Sequence, residues 1–157
     1  MSKYKIAWLP GDGVGPELAY LAKTVLNTLG LDANYVHGDI GWEFWKNEGN
    51  PLPERTREII KDSDCAFMAA ITSKPQSEAI LELDPSISRE GIKYLSPILK
   101  IRQDMNLHTN IRPCKSYPGN KLNSRDDIDI IIIIEYFAYK GNTLYLPQFV
   151  RNGPKYL

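Results

Sequence analysis

Cysteine and histidine are scarce, with two of each in 157 residues. Cys65 and Cys114 fall in segments that read as strands. So few thiols argue against a disulfide framework and make a reducing cytoplasm the expected setting. Both are expected as buried structural thiols. Net charge is also missing: Lys plus Arg is 19 and Asp plus Glu is 19. That balance argues against a nucleic-acid partner held on a broad basic surface, and leaves room for a local basic pocket. No apolar run approaches the roughly 20 residues that cross a bilayer, and the Ile-rich segment 130–134 is far too short. Met1-Ser2-Lys3-Tyr4-Lys5 has neither an apolar h-region nor a small-residue cleavage site, so no secretory leader is expected. There is no internal repeat and no low-complexity tract.

What is present is the balance of an ordinary globular chain, 43% hydrophobic and 24% charged. Lys5-Ile6-Ala7-Trp8-Leu9 reads as a buried strand stopped at Pro10-Gly11. Pro16 suits the first turn of a helix, where its missing N–H would have no partner. Leu18, Leu21, Ala22, Val25, Leu26 and Leu29 are spaced to line one face of that helix, and Gly30 supplies the stop. Residues 34–37 read as a second strand. Pro53 opens a helix with Ile59 and Ile60 inward, and residues 64–70 read as a fully buried third strand. Strands alternating with helices predict an α/β fold with a mostly parallel sheet flanked by helices. Residues 73–93 are polar and read as a surface excursion, with a turn at Asp84-Pro85. Ser96-Pro97 has the form of an N-cap and first helical residue, for a helix reaching about Leu107. Residues 108–113 look extended and 115–127 read as a loop. Asp129–Ile134 is a β-branched strand suited to a buried position.

Two constellations could carry chemistry. Pro10-Gly11-Asp12-Gly13-Val14-Gly15-Pro16-Glu17 places Gly-x-Gly between a strand and a helix. The ordinary dinucleotide fingerprint needs a third small residue, and Pro16 or Leu18 stands there instead, so that fingerprint is rejected. The second group is Ser96, Arg102 and Arg112. Ser96 would open a helix whose free N–H groups favour an anion. Two guanidinium forks reaching one pocket suit a di- or tricarboxylate, whereas each arginine taken singly reads as a solvated surface residue.

The chain resembles the decarboxylating 2-hydroxyacid dehydrogenases, which include isocitrate, homoisocitrate and isopropylmalate dehydrogenases. The glycine-rich segment is similar to their N-terminal signature, and Ile71-Thr72-Ser73-Lys74-Pro75 to the segment after their third strand. Ser96-Pro97-Ile98-Leu99-Lys100-Ile101-Arg102 with Asn110-Ile111-Arg112-Pro113 looks like their substrate-arginine region. The likeness runs from about residue 4 to 134. It implies an incomplete fold of that family: residues 1–107 as the N-terminal half of a large α/β domain, 108–134 leading into a small domain, and 135–157 a divergent tail. It implies that Arg102 and Arg112 bind the substrate carboxylates, with Ser96 at the distal carboxylate. Val14 and Thr72 would border the nicotinamide half of NAD or NADP. Without the resemblance, Val14 reads as core packing and Thr72 as a strand-end hydroxyl bonded to backbone. Ser96 leans toward isocitrate and Ile98 toward isopropylmalate. Gly41-Trp42-Glu43-Phe44-Trp45 and Arg112-Pro113-Cys114-Lys115 look most like bacterial and archaeal isocitrate dehydrogenases. His37 reads as a strand-end residue and His108 as structural or exposed. The implied activity is NAD(P)-dependent oxidative decarboxylation of isocitrate or a close 3-carboxy-2-hydroxyacid, with Mg²⁺ or Mn²⁺, in a cytoplasmic homodimer.

The pattern breaks after Ile134. The family's Arg-Glu-Asn-Thr-Glu motif is replaced by Glu135-Tyr136-Phe137-Ala138-Tyr139, and a carboxylate near the missing Arg would repel substrate. Neither Tyr136 nor Tyr139 is supported as a catalytic tyrosine. The resemblance places the metal-binding Asp residues, the catalytic Lys and the adenine loop beyond Leu157. The isolated chain is therefore expected to be truncated and inactive. The alternatives are a non-catalytic carboxylate-binding or regulatory subunit, an isopropylmalate or homoisocitrate dehydrogenase fragment, or a fragment without function.

Overall fold

The computed structural model describes residues 2–135, 138–140 and 143–145. It divides into two compact units, Met1–Ile101 and Arg102–Leu157. The first unit is built on a three-stranded parallel sheet of β1 (Tyr4–Gly11), β2 (Ala33–His37) and β3 (Cys65–Ala70), in the order β2-β1-β3. The helix α1 (Gly15–Thr28) links β1 to β2, and α2 (Trp42–Glu48) and α3 (Glu54–Lys61) lie between β2 and β3. The one-turn helix α4 (Gln76–Ala79), with a 3₁₀ turn at Ile80–Glu82, follows β3. α5 (Pro97–Asp104) crosses the boundary between the units. The second unit holds β4 (Thr109–Lys115) paired antiparallel with β5 (Asp129–Glu135), and β6 (Ala138–Lys140) paired with β7 (Thr143–Tyr145).

Being central, β1 is buried from Ile6 to Leu9. Its residues alternate between two cores, as the period of a strand requires. Ile6 and Trp8 pack with Ala19, Ala22 and Leu26 of α1. Trp8 stacks on Phe67 at 4.3 Å between centroids and meets the edge of Tyr35 at 5.1 Å. Leu9 turns to Ile40, Leu52, Ile60 and Met68. Thus Ile60 of α3 faces inward as expected, and Gly30 (φ +70°) ends α1.

Several expectations are corrected. The apolar positions of α1 do not share one buried face. Ala19, Ala22 and Leu26 pack on the sheet, while Leu18, Leu21, Val25 and Leu29 are exposed. Two adjacent stripes wrap the helix, and the sheet covers only one of them. β3 is an edge strand among the described residues, so it is half-buried rather than fully buried, and Cys65 is exposed. Cys114 is half-buried, on the two-stranded β4–β5 ribbon. Neither thiol is the buried structural one expected. The Ile strand β5 is exposed from Ile130 to Ile133, because among the described residues of this unit only β4 pairs with it. Residues 73–93 are no mere excursion. Ala79 and Leu83 are buried against Trp42 and Trp45, joined by Ile87, Ile92 and Tyr94. The helix after Ser96 stops at Asp104, three residues early, where the following turn bends through Asn106 (φ +53°). No regular element was expected for α2, whose short aromatic run carries too little periodicity to read.

Candidate functional site

In an open parallel sheet, ligands favour the crevice beyond the carboxyl ends of two neighbouring strands whose connections leave in opposite directions. Here β1 and β3 are such a pair, since the chain moves from β1 to β2 on one side and returns to β3 on the other. The carboxyl ends of β1 and β3 are Gly11 and Ala70, which stand opposite each other in the register. The glycine-rich turn and Thr72 follow directly.

The turn is shaped by close backbone approach. Gly11 has φ +78°, and a Cβ on it would overlap the Ala70 carbonyl. The Asp12 N–H donates to that carbonyl at 3.0 Å, and the Asp12 carbonyl accepts from the Gly15 N–H at 2.8 Å. The Asp12 carboxylate reaches two further segments. Oδ1 accepts the Thr72 N–H at 2.7 Å, and Oδ2 accepts the Trp42 N–H at the start of α2. Gly41, before that helix, has φ +116°, and a Cβ there would overlap Asp12 Oδ2.

A cavity of about 220 Å³ opens beside the turn, lined by Gly11, Asp12, Gly13, Pro16, Ile40, Glu43 and Phe44. Glu43 is exposed at its rim and Asp12 is already engaged by amides. Negative charge on two walls opposes a phosphate there and tolerates an uncharged ring or amide. Val14, at the N-cap of α1, is 63% exposed, so core packing is not its role. Thr72 is half-buried, and its Oγ1 would lie 3.8 Å from a Cβ on Gly13, with nothing closer to that point. The structure therefore brings the turn that carries Val14 and the Thr72 segment to one crevice.

Around this crevice, Lys74 pairs with Glu82 and stands 5.2 Å over the Trp42 ring. The Trp42 Nε1–H donates to Glu82 at 2.7 Å. The bond from Lys74, then that from Trp42, holds the Glu82 carboxyl below its ordinary value. Burial pushes the Tyr94 hydroxyl up, the bond with Ser73 opposes this, and the Asp12 charge adds to it.

The remaining candidates lie elsewhere along the chain. Ser96, in the first unit, is half-buried, and its carbonyl accepts the Lys100 N–H at 3.0 Å as α5 begins. Arg102 is half-buried in the last turn of α5, and Arg112 is exposed on β4 with its Nε 3.4 Å from Asn110 Oδ1. Both arginines belong to the second unit. His37 ends β2 and lies 3.5 Å from Asp39, and His108 is half-buried near the Asn106 carbonyl. Tyr136 and the side chain of Tyr139 lie outside the described residues. Among the described residues, no three His, Cys, Asp or Glu side chains are placed to hold a metal ion. None of the helices described there is long and apolar enough to cross a membrane. Sequence reasoning missed Asp12 as a connector. Its only sequence signal is an acid between two glycines at a strand end.

A family model described as isocitrate/isopropylmalate dehydrogenase matches residues 5–142. The chain belongs to this family. It is a family of decarboxylating dehydrogenases, and the resemblance of the motifs and the parallel sheet both agree with it. The chain is 46% identical to Protein DlpA of Legionella pneumophila over 112 residues, covering 71% of this chain and 18% of that protein. It is 35% identical to the 3-isopropylmalate dehydrogenase of Aquifex aeolicus, covering 99% of this chain and 43% of that protein. The crystal structure of isocitrate dehydrogenase from Methylococcus capsulatus matches with a TM-score of 0.67 at 26% identity, covering 84% of this chain and 34% of that one. The chain thus spans less than half the length of each of these relatives.

Proposed function

We propose that the chain serves the NAD(P)-dependent oxidative decarboxylation of isocitrate or a close 3-carboxy-2-hydroxyacid. The observation that carries this reading is the crevice at the ends of β1 and β3, where a member of this dehydrogenase family presents an exposed Val14 and the Thr72 segment. The open space over Gly13 and the uncharged Thr72 hydroxyl fit the edge of a nicotinamide ring. NAD or NADP would supply the hydride acceptor. Val14 and Thr72 would border its ring, and Ser96, Arg102 and Arg112 would hold the substrate carboxylates. Arginine forks suit that task because each can pair bidentately with a carboxylate. The described residues do not fit Mg²⁺ or Mn²⁺, which need hard oxygen ligands in near-octahedral array. A cytoplasmic setting and a homodimer belong to the same proposal.

Calorimetric titration with isocitrate, isopropylmalate and each dinucleotide tests the reading. Binding of a hydroxyacid and a dinucleotide is expected, and Arg112→Ala should weaken hydroxyacid binding at least tenfold. No heat with either class at millimolar ligand would sink the proposal. The presence of Ser96, Arg102 and Arg112 in the sequence supports a second reading, a non-catalytic carboxylate-binding or regulatory subunit. Hydroxyacid binding without dinucleotide binding would select it.

A further inference from the structure

Asp12 makes more connections than any turn residue needs. Its backbone N–H and carbonyl complete the turn, while its carboxylate leaves the turn altogether and takes the Trp42 and Thr72 N–H groups. Those groups are 30 and 60 residues downstream. The connections close into a ring. The Trp42 indole packs against the edge of Tyr94 at 5.2 Å, and the Tyr94 hydroxyl reaches back to the Thr72 carbonyl at 3.4 Å. The Thr72 residue is therefore held at its N–H by Asp12 and touched at its carbonyl by Tyr94.

The two holds are unequal. The Asp12 bond is 2.7 Å and its acceptor is a carboxylate, whereas the Tyr94 contact is long for an O–H donor and is shared with Ser73 Oγ. Asp12 dominates. A carboxylate is also the only side chain of this size with two acceptors and no donor. An Asn amide would satisfy one of the two N–H groups and oppose the other with its NH₂. Gly41 agrees with this reading, since any Cβ there would displace Asp12 Oδ2.

We propose that Asp12 is a positioning residue, locking the Thr72 peptide and the start of α2 to the glycine-rich turn so that Thr72 and Val14 face the crevice in a preset arrangement. Its consequence for a dinucleotide rests on the function proposed above. Asp12 touches no reacting atom in this role. It acts through Thr72 and the turn.

The test uses the full chain with Asp12→Ala, Asp12→Asn and Tyr94→Phe, read by amide hydrogen exchange and by titration with NAD. In Asp12→Ala, exchange at both Trp42 and Thr72 should rise at least tenfold relative to Ala7 and Leu9 in the centre of β1. In Asp12→Asn, one of the two amides should rise while the other stays protected. Tyr94→Phe should leave both within threefold. NAD affinity should fall at least fivefold in Asp12→Ala and by less in Asp12→Asn. If Asp12→Ala does not fold, Asp12→Asn decides. Exchange that rises only in step with Ala7 and Leu9, or an unchanged NAD affinity beside a selectively loosened Trp42 and Thr72, overturns the positioning role. If the unsubstituted chain binds no dinucleotide, the proposed function falls and the exchange pattern alone decides the role of Asp12.

Discussion

Gly41 adopts φ +116° and ψ −160°, a region open to glycine and costly for any residue with a Cβ. Gly41→Ala should cost about 1–3 kcal/mol from backbone strain, before its overlap with Asp12 is counted. Urea unfolding measures this, and a loss below half a kcal/mol would show that the turn can relax. Trp45 is fully buried, and its Nε1–H donates to the Ala79 carbonyl at 2.7 Å. Trp45→Ala should cost about 3–5 kcal/mol, as large-to-small substitutions do in a packed core. Trp45→Phe, which keeps most of the volume and loses the bond, should cost about 1–3 kcal/mol. Neither role was legible in the sequence. A lone glycine or tryptophan carries no sign of the distant residue it meets, here Asp12 and Ala79.

Strands and helices were legible where period and punctuation agreed. β1 was legible but runs on through Pro10 to Gly11 rather than stopping before them, while α1 begins at Gly15-Pro16 and ends before Gly30, and α3 follows Pro53. What failed was the assignment of faces. A run such as Leu18, Leu21, Ala22, Val25, Leu26 spans more than one stripe of a helix, and only the neighbouring sheet decides which stripe is covered. The smaller residues Ala19 and Ala22 pack because they let the helix approach the sheet closely. Replacing Leu21 by Glu and Val25 by Lys should therefore shift the unfolding free energy by no more than about 0.5 kcal/mol. The same pair should lower binding of a hydrophobic dye, since the exposed patch shrinks. A loss of several kcal/mol would mean that this face is covered in solution. β5 shows the same limit. Its isoleucines signal burial, yet burial needs a covering layer, and β4 supplies only an edge partner.

Across the whole molecule, charge is balanced in number and arranged in surface pairs. Arg55 holds Glu48 with two bonds and Asp39 with a third, and the Arg55 bond keeps Glu48 below its ordinary value of 4.5. Lys5 does the same for Asp62, Lys74 and Trp42 for Glu82, the Ser86 hydroxyl and N–H for Asp84, and Arg125 for Asp127. A carboxyl whose value is lowered by folding binds protons more weakly in the folded chain than in the unfolded one. Its contribution is complete above the ordinary values of 4.5 and 3.8 and is lost as pH falls through the lowered ones. The urea midpoint should thus hold steady above that window and fall below it. The fall should be shallower in high salt, because exposed pairs are screened. A midpoint that rises on acidification would contradict this arrangement. The candidate site was legible only in part at this scale. The motifs pointed to the glycine-rich turn and Thr72, while the bond that joins them runs between segments with no local relation in sequence.

That separation has a consequence for how the chain folds. The acceptor at residue 12 must wait for donors 30 and 60 residues later, so closing the ring means closing two long loops. Contacts of this span form slowly compared with helical turns. During synthesis from the ribosome, the crevice cannot be set until Thr72 has emerged and β3 has paired with β1, and Tyr94 joins later still. The Asp12 bonds to Trp42 and Thr72 close on a sheet whose strands have already paired, so loss of Asp12 should accelerate unfolding more than it slows folding.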